Sequence, residues 1–145
     1  MPELISSAPL QRPLLVVAAL ILRDDPGILK VSGTNSVLVV QRPKNAKFGA
    51  GQWEFPGGKV EFGESPEQSL TREIFEELKI NIEVIEILCA GSHVDLESGR
   101  HIVLLCYFCK HKISNADVID QMNKTKIEAA EARWLPLSKM RPKPS

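Results

Sequence analysis

This chain has few cysteines, no excess charge of either sign and no long hydrophobic run. Three cysteines in 145 residues are an odd, sparse set, which is typical of a reduced intracellular protein rather than a disulfide scaffold. The formal net charge is zero, so no global field favours nucleic acid or an anionic membrane. Any phosphate that the protein handles must therefore be held locally, by a metal ion or by a few placed cations.

The longest apolar run, Leu14 to Leu22, has nine residues, whereas a helix needs about 20 to cross a bilayer. The run is also a poor signal peptide, because Arg23, Asp24 and Asp25 stand where a cleavage site needs small residues. We interpret it as a buried strand. We expect a cytoplasmic protein that does not bind membranes.

Cys106 and Cys109 form a C-x-x-C motif, which raises the alternative of a redox or zinc site. Both lie in the apolar run 102–109, which is typical of a strand, and residues i and i+3 of a strand point to opposite faces. No second pair of cysteines or histidines is spaced to complete a zinc site. Buried thiols are the favoured interpretation.

The bulk composition predicts one globular domain. Hydrophobic residues make up 43% and charged residues 25% of the chain, and this length suits a single core. We expect a flexible N-terminal arm over residues 1–12, which contain two prolines, and a single globular domain over 13–145. One long helix among several strands predicts an α+β fold.

The strand signals are apolar or β-branched runs bounded by turn residues. Trp53, in the third run, is expected to pack in the core, and Pro56, Gly57 and Gly58 are expected to break regular structure after it. A partly helical stretch is expected over 114–131. The predicted strands cover residues 14–23, 36–42, 53–55, 82–93, 101–110 and 133–135.

A helix is predicted from Ser65 to Leu78. Ser65 suits the N-cap position, and Pro66 suits the first helical turn. Leu70, Ile74 and Leu78 recur at i, i+4 and i+8, which predicts one apolar stripe facing the core.

Three glutamates share one face of this helix at the edge of the apolar stripe. Glu73, Glu76 and Glu77 stand at i, i+3 and i+4, where like charges cost a few tenths of a kcal/mol per pair. A divalent cation would offset that cost, and Mg²⁺ prefers carboxylate oxygens. The alternative is a solvated face on which Arg72 and Lys79 act as salt-bridge partners.

The segment around these glutamates resembles the Nudix box. Gly58 is followed by five residues, Glu64, seven residues and then the run Arg72 to Ile80, so that six positions match at fixed spacing. The sequence differs at Lys79, where the family has a glycine that serves as a left-handed helix cap. The matching positions are Gly58, Glu64, Arg72, Glu73, Glu76 and Glu77.

The flanks are similar to the MutT branch of that family, nucleoside triphosphate pyrophosphohydrolases. The likeness extends over roughly residues 14–137. Glu128 falls where the family carries a further acidic residue on a loop. The segments that carry the likeness are 53–61, 63–68, Gln41-Arg42 and Arg100-His101-Ile102.

The resemblance implies an α/β/α sandwich in which a central mixed β-sheet is flanked by helices and the box forms a loop-helix-loop. It implies Mg²⁺, or Mn²⁺ in its place, bound by Glu73, Glu76, Glu77, the carbonyl of Gly57 and Glu128, with Glu128 as ligand or base. Arg72 would orient a helix carboxylate, and Glu64 would mainly hold the loop. The expected catalytic residues are Arg72, Glu73, Glu76, Glu77 and Glu128. The expected substrate-binding residues are Arg42, Glu54, Phe55, Gly57, Gly58 and Arg100.

Three functions follow from the resemblance and remain open at this point. The first is Mg²⁺-dependent hydrolysis of a (deoxy)nucleoside triphosphate, such as 8-oxo-dGTP, to the monophosphate and pyrophosphate. The second is the same chemistry on an RNA 5′ end, a dinucleoside polyphosphate or a nucleotide sugar. The third is a non-catalytic nucleotide-binding module. The expected partner is a nucleotide, without stable nucleic-acid binding, and the expected assembly is a monomer or homodimer.

Overall fold

The computed structural model describes residues 12–23, 36–47, 49–112 and 131–137. The N-terminal arm predicted over 1–12 therefore lies outside the described residues except for residue 12, and the partly helical stretch at 114–131 does so except for residue 131. The elements in the described ranges are β1 (Leu14–Ile21), β2 (Ser36–Gln41), β3 (Trp53–Glu54), β4 (Gly57–Lys59), α1 (Pro66–Leu78), β5 (Ile82–Asp95), β6 (Arg100–His111) and β7 (Glu131–Pro136).

The strands form two sheets. The larger sheet has the order β4-β1-β6-β5, in which β1 runs parallel to β6 and the other two pairs are antiparallel. The smaller sheet has the order β3-β2-β7 and is antiparallel throughout. The predicted mixed sheet in an α+β fold is confirmed. The predicted strands are also present, with ends that differ by at most two residues.

The core is formed by α1, the larger sheet and β2 of the smaller sheet. Leu70, Ile74 and Leu78 are fully buried, which confirms the predicted apolar stripe of the helix. Tyr107 on β6 packs in the same cluster, and its hydroxyl donates a hydrogen bond of 3.0 Å to Glu67 in the first turn of α1. The buried stripe fixes the rotation of the helix and leaves the three glutamates of interest at its rim. The rest of the core cluster is Val17, Ala19, Ile21, Leu38, Val40, Ile80, Ile82 and Cys109.

Both ends of α1 are capped by its own sequence. Ser65 and Gln68 form a capping box, in which the Ser65 hydroxyl accepts from the Gln68 N–H and the Gln68 side chain accepts from the Ser65 N–H. At the other end Lys79 adopts the left-handed conformation, with φ 59°, and its N–H donates to the Phe75 carbonyl at 2.9 Å. The bend that the family makes with glycine is thus made here by lysine.

The expectation that residues 56–58 break regular structure is correct at Pro56, where the chain bends between β3 and β4, and wrong at Gly57 and Gly58. Gly57 to Lys59 form β4, which pairs antiparallel with β1 in register Val17 to Gly58. A Cβ on Gly57 would collide with the Val17 carbonyl and the Ala18 backbone. Glycine therefore allows this segment to approach β1 closely enough to pair, and the turn residue of the sequence becomes a strand residue in the fold.

The expected core position of Trp53 is also wrong. Its side chain on β3 is 38% exposed, and the Arg133 guanidinium of β7 lies 4.3 Å from the centre of its ring. The smaller sheet places the indole under a cation at the surface.

Within the described residues, no helix has the length and apolar character to span a bilayer.

Candidate active site

Arg72 lies at the centre of an ion-pair network between α1 and the loop before it. Its Nε and Nη2 atoms donate to the two carboxylate oxygens of Glu64 at 2.7 and 2.8 Å. Its Nη1 donates to Glu73 and to Glu76, both at 3.1 Å, and its Nη2 reaches the Lys59 carbonyl at 3.2 Å. One guanidinium thus joins the loop, β4 and the helix.

The ion pair between Arg72 and Glu64 shifts the pKa of both groups. The pKa of Glu64 is lowered to about 2, chiefly by the hydrogen bond from Arg72, while partial burial opposes the shift. The pKa of Arg72 is raised, chiefly by the same hydrogen bond. Both groups therefore stay charged at neutral pH, and the loop is held by a bidentate, charge-assisted contact.

Glu73 lies against the backbone of Gly58. A Cβ on Gly58 would overlap the Glu73 carboxyl group, so that any larger residue there must displace the glutamate. Arg72 holds the other side of the same carboxylate, whose side chain is 21% exposed. β4 and α1 together fix the position of Glu73.

Three small cavities adjoin this region and share Arg42 and Glu54 as lining residues. The first, of about 230 Å³, is also lined by Glu73, Glu77 and Gly57. The Arg42 Nη1 donates to the Glu54 carboxylate at 3.1 Å at the point where the three meet. We call these three cavities together the cleft.

The cleft brings together residues that are far apart in the sequence. The second cavity, of about 190 Å³, is lined by Phe55, Gly57 and Gly58, and the third, of about 260 Å³, by Arg100. All six residues expected to bind substrate therefore line the cleft.

Glu76 and Glu128 differ from the other expected metal ligands. Glu76 is bound by Arg72, its side chain is 51% exposed, and it does not line the first cavity. Among the described residues, no three acidic, histidine or cysteine side chains converge into a metal-binding group. Arg72 hydrogen-bonds both Glu73 and Glu76. Glu128 lies outside the described residues.

The loop that supports Arg42 was not predicted from the sequence. The Arg42 N–H donates to the Gln52 carbonyl at 2.9 Å, and the Gly51 N–H donates to the Arg42 carbonyl at 3.1 Å. The Gln41 amide braces the same turn through the Gly51 carbonyl at 3.1 Å. Gly49 and Gly51, both at positive φ, are the signal in the sequence for a tight turn that returns to Arg42.

The similarity to known proteins extends over most of the chain. The family model for the NUDIX domain matches residues 15–145. The 8-oxo-dGTP diphosphatase of Proteus vulgaris is 46% identical over 70 residues, which are 48% of this chain and 60% of that protein. The CTP pyrophosphohydrolase of Escherichia coli strain K12 is 45% identical over 89 residues, 61% of this chain and 56% of that protein. Less than two thirds of each of these relatives is thus matched.

Among solved structures, a MutT NUDIX hydrolase from Burkholderia pseudomallei superimposes with a TM-score of 0.67 at 29% sequence identity. The superposition covers 92% of this chain and 89% of that one. The likeness therefore extends over both sheets and the helix rather than over the box alone.

Proposed function

This chain belongs to the NUDIX domain family, and from that premise we propose that it hydrolyses a nucleoside triphosphate to a nucleoside monophosphate and pyrophosphate. One observation carries the proposal. Glu73 and Glu77 of the helix face the same cavity as Gly57, and that cavity continues into the space beside Arg42 and Arg100. Carboxylates that can bind a cation thus lie next to guanidinium groups that can bind an anion.

The residues of the cleft suit a Mg²⁺ ion. The ion prefers hard oxygen donors and takes one or two protein carboxylates together with substrate phosphates. Glu73, Glu77 and the Gly57 carbonyl are such donors, and we propose Glu76 and Glu128 as further ligands. When bound, the metal supplies neutralisation of the phosphate charge and a water of lowered pKa.

The chain's own residues would orient the reacting groups. Arg72 holds Glu73 from one side while Gly58 leaves room for it on the other, so that the carboxylate is positioned before substrate binds. Arg42, fixed by Glu54, and Arg100 present cations toward the cleft for the phosphates. Because the net charge of the chain is zero, these local cations are what attract a polyphosphate.

A substrate panel with Mg²⁺ tests the proposal. We expect pyrophosphate release from at least one (d)NTP, including 8-oxo-dGTP and CTP. The Glu77→Gln variant should abolish this activity, because it replaces a charged oxygen donor of the cavity by a neutral amide. Glu83→Gln on β5, an exposed position outside the cleft, is the matched control and should leave the activity unchanged.

Failure of every triphosphate to release pyrophosphate, or an active Glu77→Gln variant, would contradict the proposal. Hydrolysis of RNA 5′ ends, dinucleoside polyphosphates or nucleotide sugars in place of the triphosphates would select the second function. Nucleotide binding without turnover of any substrate would select the binding module.

A pyrimidine triphosphate is a second candidate substrate. The alignment with the CTP pyrophosphohydrolase covers 61% of this chain, against 48% for the 8-oxo-dGTP diphosphatase. The ratio of kcat/KM for CTP and 8-oxo-dGTP decides between them, since that ratio measures discrimination in the transition state.

A further inference from the structure

Two cysteines face each other across the outer strand pair of the larger sheet. Cys89 on β5 lies directly opposite Cys106 on β6, and the pKa of Cys106 is raised by burial and, to a smaller extent, by the neighbouring Cys89 thiol. Cys89 is exposed, whereas Cys106 is 7% exposed. A reagent in solution can therefore reach the Cys89 thiol, whereas the Cys106 thiol is buried.

A β-bulge creates this pairing. Ile87 lies opposite Tyr107, and the next pair along the strands is Cys89 with Cys106, so that Leu88 is an additional residue in β5. In a regular ladder Leu88 would lie opposite Cys106, and Cys89 would move on to the next position. Bulges re-aim side chains, and this one brings two sulfur atoms together that the sequence separates by sixteen residues.

The third cysteine is not part of this pair. Side chains alternate between the faces of a strand, so Tyr107 and Cys109 share the face that packs against α1, and Cys106 lies on the other face. Cys109 is fully buried, and burial raises the pKa of its thiol to about 12. The C-x-x-C motif of the sequence is therefore not a dithiol in the fold.

We propose that Cys89 and Cys106 form a peroxide-sensitive thiol pair that closes to an intramolecular disulfide between β5 and β6. The α-carbons of directly opposed antiparallel residues lie about 4.5–5.5 Å apart. This separation lies within the range of about 4.4–6.8 Å that a disulfide spans. The strands need not separate or change register for the bond to form.

The reaction balances with a hydroperoxide as oxidant. The Cys89 thiolate attacks the peroxide oxygen, the O–O bond breaks, and the cysteine becomes a sulfenic acid. The Cys106 sulfur then attacks the Cys89 sulfur, and the hydroxide that leaves takes up the Cys106 proton as water. With hydrogen peroxide, two thiols are oxidised to one disulfide and the peroxide is reduced to two waters. Because Cys89 is exposed, a dithiol reductant can reverse the step.

Peptide mapping of the intact protein after hydrogen peroxide treatment tests the pair. Trypsin cuts after Lys79, Arg100 and Lys110, so Cys89 and Cys106 fall in different peptides. We expect the peptides 80–100 and 101–110 to be joined after oxidation and separate again after dithiothreitol. Chymotrypsin cuts after Tyr107 and assigns the bond to Cys106 rather than Cys109.

Single substitutions serve as matched variants. Cys89→Ser and Cys106→Ala should each abolish the joined peptide, whereas Cys109→Ala should retain it and lose both remaining thiols on oxidation. None of the three cysteines lines the cleft, so these variants test the pair independently of hydrolysis. Separate peptides after peroxide, a bond that involves Cys109 or a dimer linked through Cys89 would each overturn the proposal. The mapping of the wild-type protein decides the question even where a variant fails to fold.

Discussion

At the residue scale, the Arg72 side chain connects the loop before α1, β4 and α1 itself. Its planar guanidinium makes a bidentate pair with Glu64 and still reaches Glu73 and Glu76. A lysine could not reproduce this arrangement, because an ammonium group is a single charge on a flexible stem. The loop, the helix and the carboxylates therefore depend on one planar cation.

The pair of Arg72 and Glu64 predicts an acid-dependent stability. The pKa of Glu64 is about 2 in the fold and 4.5 in the absence of these contacts. Since the folded pKa is the lower one, the stabilisation is fully present above 4.5 and is lost as the pH falls toward about 2. The melting temperature of the wild type should exceed that of Glu64→Gln at neutral pH, and the gap should close over this range.

The same titration in an Arg72→Gln background is the control. The guanidinium is the main cause of the lowered pKa of Glu64. In the Arg72→Gln background, the difference in melting temperature between Glu64 and its Gln variant should therefore be smaller at all pH values. A gap that stayed constant from neutral pH down to about 2 would show that the ion pair does not form.

Gly58 gives the second prediction at this scale. Gly58→Ala should lower the rate of hydrolysis by about 10²-fold, because the new Cβ displaces the Glu73 carboxyl group and misplacement by about 1 Å has such an effect. Gly91→Ala on β5, where a Cβ would meet no atom within 4 Å, is the matched control. Equal kcat/KM values for the two variants would refute the steric argument.

At the scale of elements, α1 combines strong capping with one strained residue. Lys79 ends the helix at φ 59°, a left-handed conformation that costs an L-residue roughly 1 kcal/mol. Its Nζ lies 5.8 Å from the centre of the Phe75 ring, which offsets part of that cost. The helix thus ends in the usual left-handed bend, although lysine does not favour that conformation.

Lys79→Gly should be more stable than Lys79→Ala by about 1 kcal/mol in urea unfolding, since glycine adopts positive φ without steric cost. Both variants lack the contact with Phe75, so their difference isolates the backbone conformation. Equal free energies of unfolding for the two variants would show that the left-handed bend is relieved by other means.

The elements themselves were largely predictable from local signals. Ser65, Pro66 and the stripe through Leu70 and Ile74 are enough to place α1, because capping and helical periodicity act within a few residues. β4 was not predictable, since the sequence signal at Gly57 is that of a turn. Its pairing depends on a close approach to β1, a strand about forty residues earlier in the chain.

On the scale of the whole molecule, two sheets and one helix converge on the cleft. Arg42 directly follows β2, and Glu54 lies on β3. β4 contributes glycine backbone, α1 contributes Glu73 and Glu77, and β6 begins with Arg100. A ligand that bridges these elements binds only the native state, so it should stabilise the whole fold.

We therefore expect Mg²⁺ together with a non-hydrolysable nucleoside triphosphate analogue to raise the melting temperature. Saturation at about 100 times the dissociation constant contributes about 2.7 kcal/mol. Glu77→Gln should blunt this shift, while Glu83→Gln should keep it. An equal rise in melting temperature in both variants would contradict this prediction. So would an equal rise with a chelator in place of Mg²⁺, because the nucleotide would then bind without the proposed metal.

The capped helix, its buried stripe, the glutamates on one face and the family box could be predicted from the sequence, because these are periodic or local patterns. Which distant side chains come together depends on the fold: Arg100 and Arg42 line one cavity, Glu73 lies against Gly58, and Cys89 lies opposite Cys106. These contacts depend on strand register. Register is set by long-range pairing and by single-residue bulges such as Leu88, and a shift by one residue moves every side chain to the opposite face.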